Sequence, residues 1–190
     1  ELTALSATCH KYGLYLFLDG ARLGYGLAAP DNDLTLPDIA ALCDVFYIGG
    51  TKVGALFGEA VVIKNPELAQ DFRYIIKQNG GMLAKGRLLG LQFDALFTDG
   101  LYQEISAHAI AMAEKLREAF TAKGYTYLAP NRTNQIFVIV PDAHLAKISE
   151  QFEYSYDQRI DATHSCVRFC TGWATKEENV DALIRCVEKL

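Results

Sequence analysis

Long hydrophobic runs, a basic excess, abundant proline and a cysteine framework are all missing from this 190-residue sequence. Each absence closes off a class of protein. No stretch approaches the roughly 18 uninterrupted apolar residues of a membrane-spanning helix; the longest uncharged runs, such as Gly13 to Leu18, have the length of strands. Acidic residues outnumber basic ones by 23 to 18. That balance argues against nucleic-acid binding, which draws on a basic face and counterion release. With only 5 Pro and 15 Gly the chain is neither collagen-like nor of low complexity. What is abundant is apolar: 51% of residues are hydrophobic, which excludes disorder. A chain of this length buries about 70% of its unfolded surface on folding.

Five cysteines (Cys9, Cys43, Cys166, Cys170 and Cys186) make an odd number with no disulfide or zinc spacing. They read as reduced, mostly buried thiols of a cytoplasmic protein. The first residue is Glu1 and no signal peptide is present, so the sequence reads as beginning inside a larger or trimmed polypeptide.

Residues 1–12 have helical spacing, and Gly13 stands where a C-terminal cap would. Leu14 to Leu18 is an apolar run ending at Asp19-Gly20, which predicts a strand covered on both faces. A Gly- and Pro-punctuated loop spans 24–33, and a helix with Pro37 in its first turn spans 36–42. Asp44 to Ile48 and Ala60 to Ile63 are two more expected strands. Strand, helix, strand at this pitch is the signature of an open α/β sheet, whose ligands bind beyond the carboxyl ends of the strands. Asp19 and Thr51-Lys52 fall just past such ends.

Downstream, 66–76 and 88–97 read as helices around Gly80-Gly81. Residues 101–123 read as a long amphipathic helix stopped by Gly124. Strands follow at 135–140 and 166–170, and helices at 143–152 and 176–190, the last with Thr175 as N-cap and Glu178 in capping-box position. This change of rhythm divides the chain into 1–99, part of a larger domain, and 100–190, a small α+β domain.

Three residues stand out chemically. Lys52 follows an apolar strand inside a Gly-rich turn, where desolvation favours a neutral, nucleophilic amine able to form an imine; the plainer alternative is a surface loop lysine. A phosphate loop does not fit, because Gly directly before and Ser/Thr directly after the lysine are absent. Asp19 is either a cap for its turn or a functional charge at the sheet's ligand edge, and Arg22, three residues on, can reach the same space or simply pair with it. Arg168 lies at the centre of the apolar Cys166-Val-Arg-Phe-Cys170, where its guanidinium takes either a carboxylate ligand or a local Asp or Glu. The histidines (His10, His108, His144, His164) lack metal-ligand spacing. No Ser-His-acid pattern suggests hydrolysis, and Gly20, Gly24 and Gly26 make no dinucleotide fingerprint.

Taken together, the Asp19-Gly-Ala-Arg22-Leu23 turn, the Thr51-Lys52 turn and Val167-Arg-Phe-Cys-Thr-Gly-Trp-Ala-Thr175 resemble the threonine aldolase family. These are pyridoxal-phosphate enzymes of the aspartate aminotransferase fold (fold type I), related to β-eliminating lyases. The resemblance implies an α/β fold, with the end of a mostly parallel cofactor-binding sheet followed by the small C-terminal domain. It implies roles too. Asp19 would keep the ring nitrogen of pyridoxal phosphate protonated, and Lys52 would hold the cofactor covalently. Arg22 would sit by the phenolic oxygen, Thr51 would bond the phosphate, and Arg168 would clamp the substrate α-carboxylate. The implied reaction is cleavage of a threonine-like β-hydroxy amino acid to glycine and an aldehyde, in a homodimer or homotetramer.

The pattern departs from the family in places. Phe17 stands where a histidine is frequent, Thr51-Lys52-Val53 replaces Ser-Lys-Gly, and the Gly-Gly-Met-Arg stretch becomes Gly80-Gly-Met-Leu-Ala-Lys-Gly-Arg87, leaving Lys85 or Arg87 for the phosphate. Two other readings stand beside the aldolase: β-elimination or amino-group transfer on the same cofactor, and an inactive fragment or dimerisation module.

Overall fold

A computed structural model describes residues 1–190, which divide into two compact units. The first comprises 1–27 and 32–102, the second 28–31 and 103–190. No helix is long and apolar enough to cross a membrane.

The first unit opens with α1 (Leu2–Lys11), closed by a Schellman motif. Gly13 takes φ +67°, Leu14 N–H donates to the Cys9 carbonyl at 2.9 Å and Gly13 N–H to that of His10 at 3.1 Å. The expected strand at 14–18 shrinks to β1 (Phe17–Leu18). Leu16 N–H is taken by the Asp44 carboxylate at 2.8 Å, so the ladder starts only after it. The run is also not covered on both faces: Leu14 and Tyr15 are more than half exposed and Phe17 is 58% exposed.

The start of the segment expected to be a loop belongs to a short helix, α2 (Leu23–Leu27), whose two glycines mask its helical character, while 28–33 is turn and irregular structure as expected. Next comes α3 (Leu36–Leu42), fixed by a Thr35/Asp38 capping box with Pro in its first turn. The sheet has the order β1-β2-β3, with β2 at Val45–Gly49 and β3 at Glu59–Ile63. β1 and β2, joined by a helical crossover, are parallel as that connection requires; β3 returns antiparallel after a nine-residue loop. Phe46, with Leu23, Ile39 and Cys43, forms the core beneath, and Ile48 packs against it.

Two helices complete this unit, α4 (Phe72–Gln78) and α5 (Arg87–Phe97). α4 starts later than its sequence pattern predicts. Asn65 Oδ1 accepts from Glu67 N–H, i→i+3 turns follow, and Asp71 adopts φ +56°, so regular helix forms only beyond it.

α6 (Leu101–Ala122) ends, as the sequence predicts, at a left-handed glycine, Gly124 with φ +87°. The second unit then forms an antiparallel sheet of order β4-β5-β7-β6: β4 Thr126–Tyr127, β5 Gln135–Pro141, β6 Ser155–Arg159 and β7 His164–Cys170. Ile136, Val138 and Val140 alternate on the inner face of β5, and Val167 and Phe169 lie opposite them on β7. α6, α7 (Asp142–Ile148) and α8 (Glu177–Glu188) cover that face through Phe120, Ile148, Leu183 and their neighbours. Thr175 does not cap α8. Its hydroxyl accepts from Gly172 N–H at 2.8 Å, and Lys176 occupies the cap position without a side-chain bond. All five cysteines are free thiols, with Cys43 and Cys166 buried, Cys9 and Cys186 half-buried, and Cys170 exposed.

Candidate active site

The carboxyl end of β2 and the turn after β1 approach so closely that only glycine fits. A Cβ on Gly20 would lie 1.7 Å from the Tyr47 carbonyl oxygen, and one on Gly49 would lie 2.5 Å from that of Ala21. The two turns are joined by Gly49 N–H donating to the Gly20 carbonyl at 2.9 Å. Tyr102, buried at the start of α6, receives a bond from Gly24 N–H at 3.0 Å and donates to the Gly49 carbonyl at 3.1 Å. Burial pushes its phenol up to about 12.

Asp19 projects from this junction. Its Oδ1 accepts from the Tyr47 hydroxyl and, at 3.0 Å, from Ala21 N–H. The Tyr47 bond is the largest influence holding the carboxyl below its ordinary range; the Ala21 bond and the positive charge of Lys52 act in the same direction. The same bond pushes the Tyr47 phenol up to about 12. Asp19 and Arg22 are not paired with each other, and half-buried Arg22 has no carboxylate within ion-pair distance.

Lys52 lies in the turn after β2. Val53 and Ala55 behind it are buried, but Lys52 itself is exposed rather than enclosed by its apolar neighbours. The turn is held from three sides. The buried Tyr25 of α2 donates to the Lys52 carbonyl. Glu59 of β3 accepts from Gly50 N–H at 2.7 Å and from the Thr51 hydroxyl at 3.1 Å. Gln92 of α5 bonds the following loop at Leu56 N–H (2.8 Å) and at the Phe57 carbonyl (3.0 Å). The result is an ionised carboxylate and a primary amine on neighbouring turns of one sheet edge. Lys85 and Arg87, the two candidate phosphate cations, are both exposed.

Arg168 belongs to the second unit, where it lies on β7 opposite Phe137 and Ser155. It borders a groove of ≈ 330 Å³ lined also by Tyr154, Ser155, Cys170, Thr175 and Asn179. No aspartate or glutamate pairs with it. Its Nη2 reaches the Ser155 hydroxyl at 3.5 Å, and its buried Nε has no acceptor. The floor of this region is fixed by the buried Asn134 and Thr171: Asn134 Nδ2 donates to the Thr171 carbonyl at 2.6 Å, and the Thr171 hydroxyl to that of Ala109 at 2.6 Å.

Sequence reasoning passes over Tyr47, Glu59, Tyr25, Tyr102 and Gln92. For Tyr47 and Glu59 a signal exists. One phenol in an otherwise apolar strand needs a hydrogen-bond partner, and a lone carboxylate opening the next strand has two donors within reach across the ladder.

The chain resembles known proteins in both sequence and fold. Residues 1–143 match the beta-eliminating lyase family. The chain is 33% identical over 187 residues to a low specificity L-threonine aldolase of Pseudomonas sp., covering 96% of the chain and 52% of that protein. The threonine aldolase structure from Leishmania major superposes with a TM-score of 0.97 at 42% identity, covering 100% of the chain and 55% of that one. An aspartate aminotransferase from Thermus thermophilus, at 17% identity and a TM-score of 0.67, shares the fold alone. The chain thus spans about half the length of the relatives it matches. Its architecture is that of the fold type I pyridoxal-phosphate enzymes, and with well over half of its residues matched, the chain belongs to the beta-eliminating lyase family.

Proposed function

We propose that the complete protein carrying this chain is a pyridoxal-phosphate-dependent carbon–carbon lyase that cleaves a threonine-like β-hydroxy amino acid to glycine and an aldehyde. The observation that carries the reading is the meeting of Asp19 and Lys52 at one sheet edge, near enough for the lysine charge to favour the carboxylate. Both groups suit the cofactor. A ring nitrogen that stays protonated needs a lasting anion beside it, and Asp19 Oδ2 has no hydrogen-bond partner within the chain. An aldehyde needs an amine that no carboxylate has claimed, and Lys52 makes no ion pair.

When bound, pyridoxal phosphate supplies an electron sink for the charge that builds on the substrate α-carbon. The chain's residues set that chemistry up. Asp19 keeps the proton on the ring nitrogen, and Lys52 tethers the cofactor through Nζ. Arg22, free of any carboxylate, stands for the phenolic oxygen. Thr51, whose hydroxyl donates to Glu59, would bond the phosphate. Arg168 offers its guanidinium to the amino acid's α-carboxylate, a charge-assisted pairing that orients the bond to be broken. Assembly as a homodimer or homotetramer belongs to the same proposal.

The test is a product assay on the full-length protein with added cofactor and threonine. Glycine and acetaldehyde in equal amounts support the reading; ammonia with a keto acid, or no turnover, overturns it.

A further inference from the structure

In β2 the pleat sends Phe46 and Ile48 to the core of the first unit, so Tyr47 faces the other side of the sheet. There it is half-buried, opposite Val61 on β3 and 6.1 Å, centroid to centroid, from the ring of Phe17 on β1. Both neighbours are apolar and about half exposed. Hydrophobic packing explains the ring but not the hydroxyl, which a phenylalanine would lack. That hydroxyl donates to Asp19 Oδ1. Ala21 N–H donates to the same oxygen, so both donors load one side of the carboxylate and leave Oδ2 open.

We propose that Tyr47 is a positioning residue that acts through Asp19, fixing its rotamer and holding it as an anion with Oδ2 presented to the cofactor's ring nitrogen. This rests on the reading of Asp19 as the ring's partner. Geometry and charge agree. A carboxylate on a short side chain at an exposed sheet edge would otherwise swing freely, and a phenol donor shortens and strengthens a bond to an anion more than to a neutral acid. The hydrogen bond therefore opposes protonation of Asp19, and by the same linkage it opposes ionisation of Tyr47.

Tyr47→Phe in the full-length protein removes the hydroxyl and keeps the ring. Without cofactor, the side-chain carboxyl carbon of Asp19 is followed by NMR in protein labelled at aspartate, with Asp19→Asn giving the assignment. Wild type is expected to titrate below the ordinary aspartate range and Tyr47→Phe to move up toward it. Asp19→Asn reads the same bond from the other end: the Tyr47 phenol, pushed up to about 12 in the wild type, should fall back toward about 10. With cofactor loaded, kcat should drop about tenfold in Tyr47→Phe with KM for threonine nearly unchanged, as loss of one charge-assisted bond predicts. Unmoved titrations, or an unchanged kcat in an active enzyme, overturn the role of Tyr47. Failure of the wild type to bind cofactor would overturn the lyase reading instead, and leave the two titrations standing as evidence about the bond.

Discussion

Glycine at position 20 is a steric requirement rather than a matter of flexibility. Its backbone runs against the Tyr47 carbonyl, so the Asp19 turn and the end of β2 can touch. Gly26, in α2, has open space where a Cβ would stand, with no atom within 4 Å, and no left-handed backbone. Gly20→Ala should therefore cost about 1–3 kcal/mol through overpacking, whereas Gly26→Ala should be neutral or stabilise by a few tenths of a kcal/mol. Urea unfolding of the two variants checks the contrast. Elsewhere, Asp161 shows how one carboxylate can hold a hairpin. It accepts from Thr163 N–H at 2.7 Å, the larger influence, and from His164, and these bonds bring its carboxyl down to about 2. A lowered folded value stabilises the native state above the unfolded value, near 4, and that contribution fades as pH falls toward 2. The urea midpoint of Asp161→Ala should therefore lie below wild type at pH 6 and converge with it near pH 2. At this scale the sequence discloses Asp19, Lys52 and Arg168, because charge inside apolar surroundings is conspicuous. Tyr47 stays hidden because an aromatic in a strand reads as core, and only the pleat shows which face it takes.

Among the elements, those bounded by a backbone necessity are legible. α6 ends at Gly124 with the two bonds of a Schellman motif, Tyr125 N–H to the Phe120 carbonyl at 3.0 Å and Gly124 N–H to that of Thr121 at 2.9 Å. The rings of Phe120 and Tyr125 pack across it at 5.9 Å. Gly124→Ala has room for its methyl but must keep φ +87°. It should cost about 1–2 kcal/mol, the strain of a left-handed residue with a Cβ, measured as a lowered unfolding midpoint with unchanged far-UV dichroism. Elements whose sequence signal is cancelled locally are not legible. β6 reads Ser-Tyr-Asp-Gln-Arg and is exposed throughout, so it has no apolar alternation to betray it. The apolar run at 14–18 overstates β1 because Asp44 competes for the Leu16 amide. Thr175 looks like a cap for α8 but is not one, because a nearer amide, that of Gly172, claims its hydroxyl.

For the molecule as a whole, the α/β signature of the first half and the mixed helices and strands of the second match the fold of its relatives. The antiparallel direction of β3 is not legible, since a strand's own residues carry no record of its neighbour's direction. The chain spans 52% of the Pseudomonas sp. aldolase and 55% of the Leishmania major one, so the proposed activity is tested on the full-length protein. The most direct check on the account is chemical trapping. The full-length protein is loaded with pyridoxal phosphate, reduced with borohydride, digested, and the labelled residue located by mass spectrometry. Label is expected on Lys52, with none anywhere in Lys52→Ala. Label on another lysine such as Lys85, or none at all in the wild type, would contradict the account.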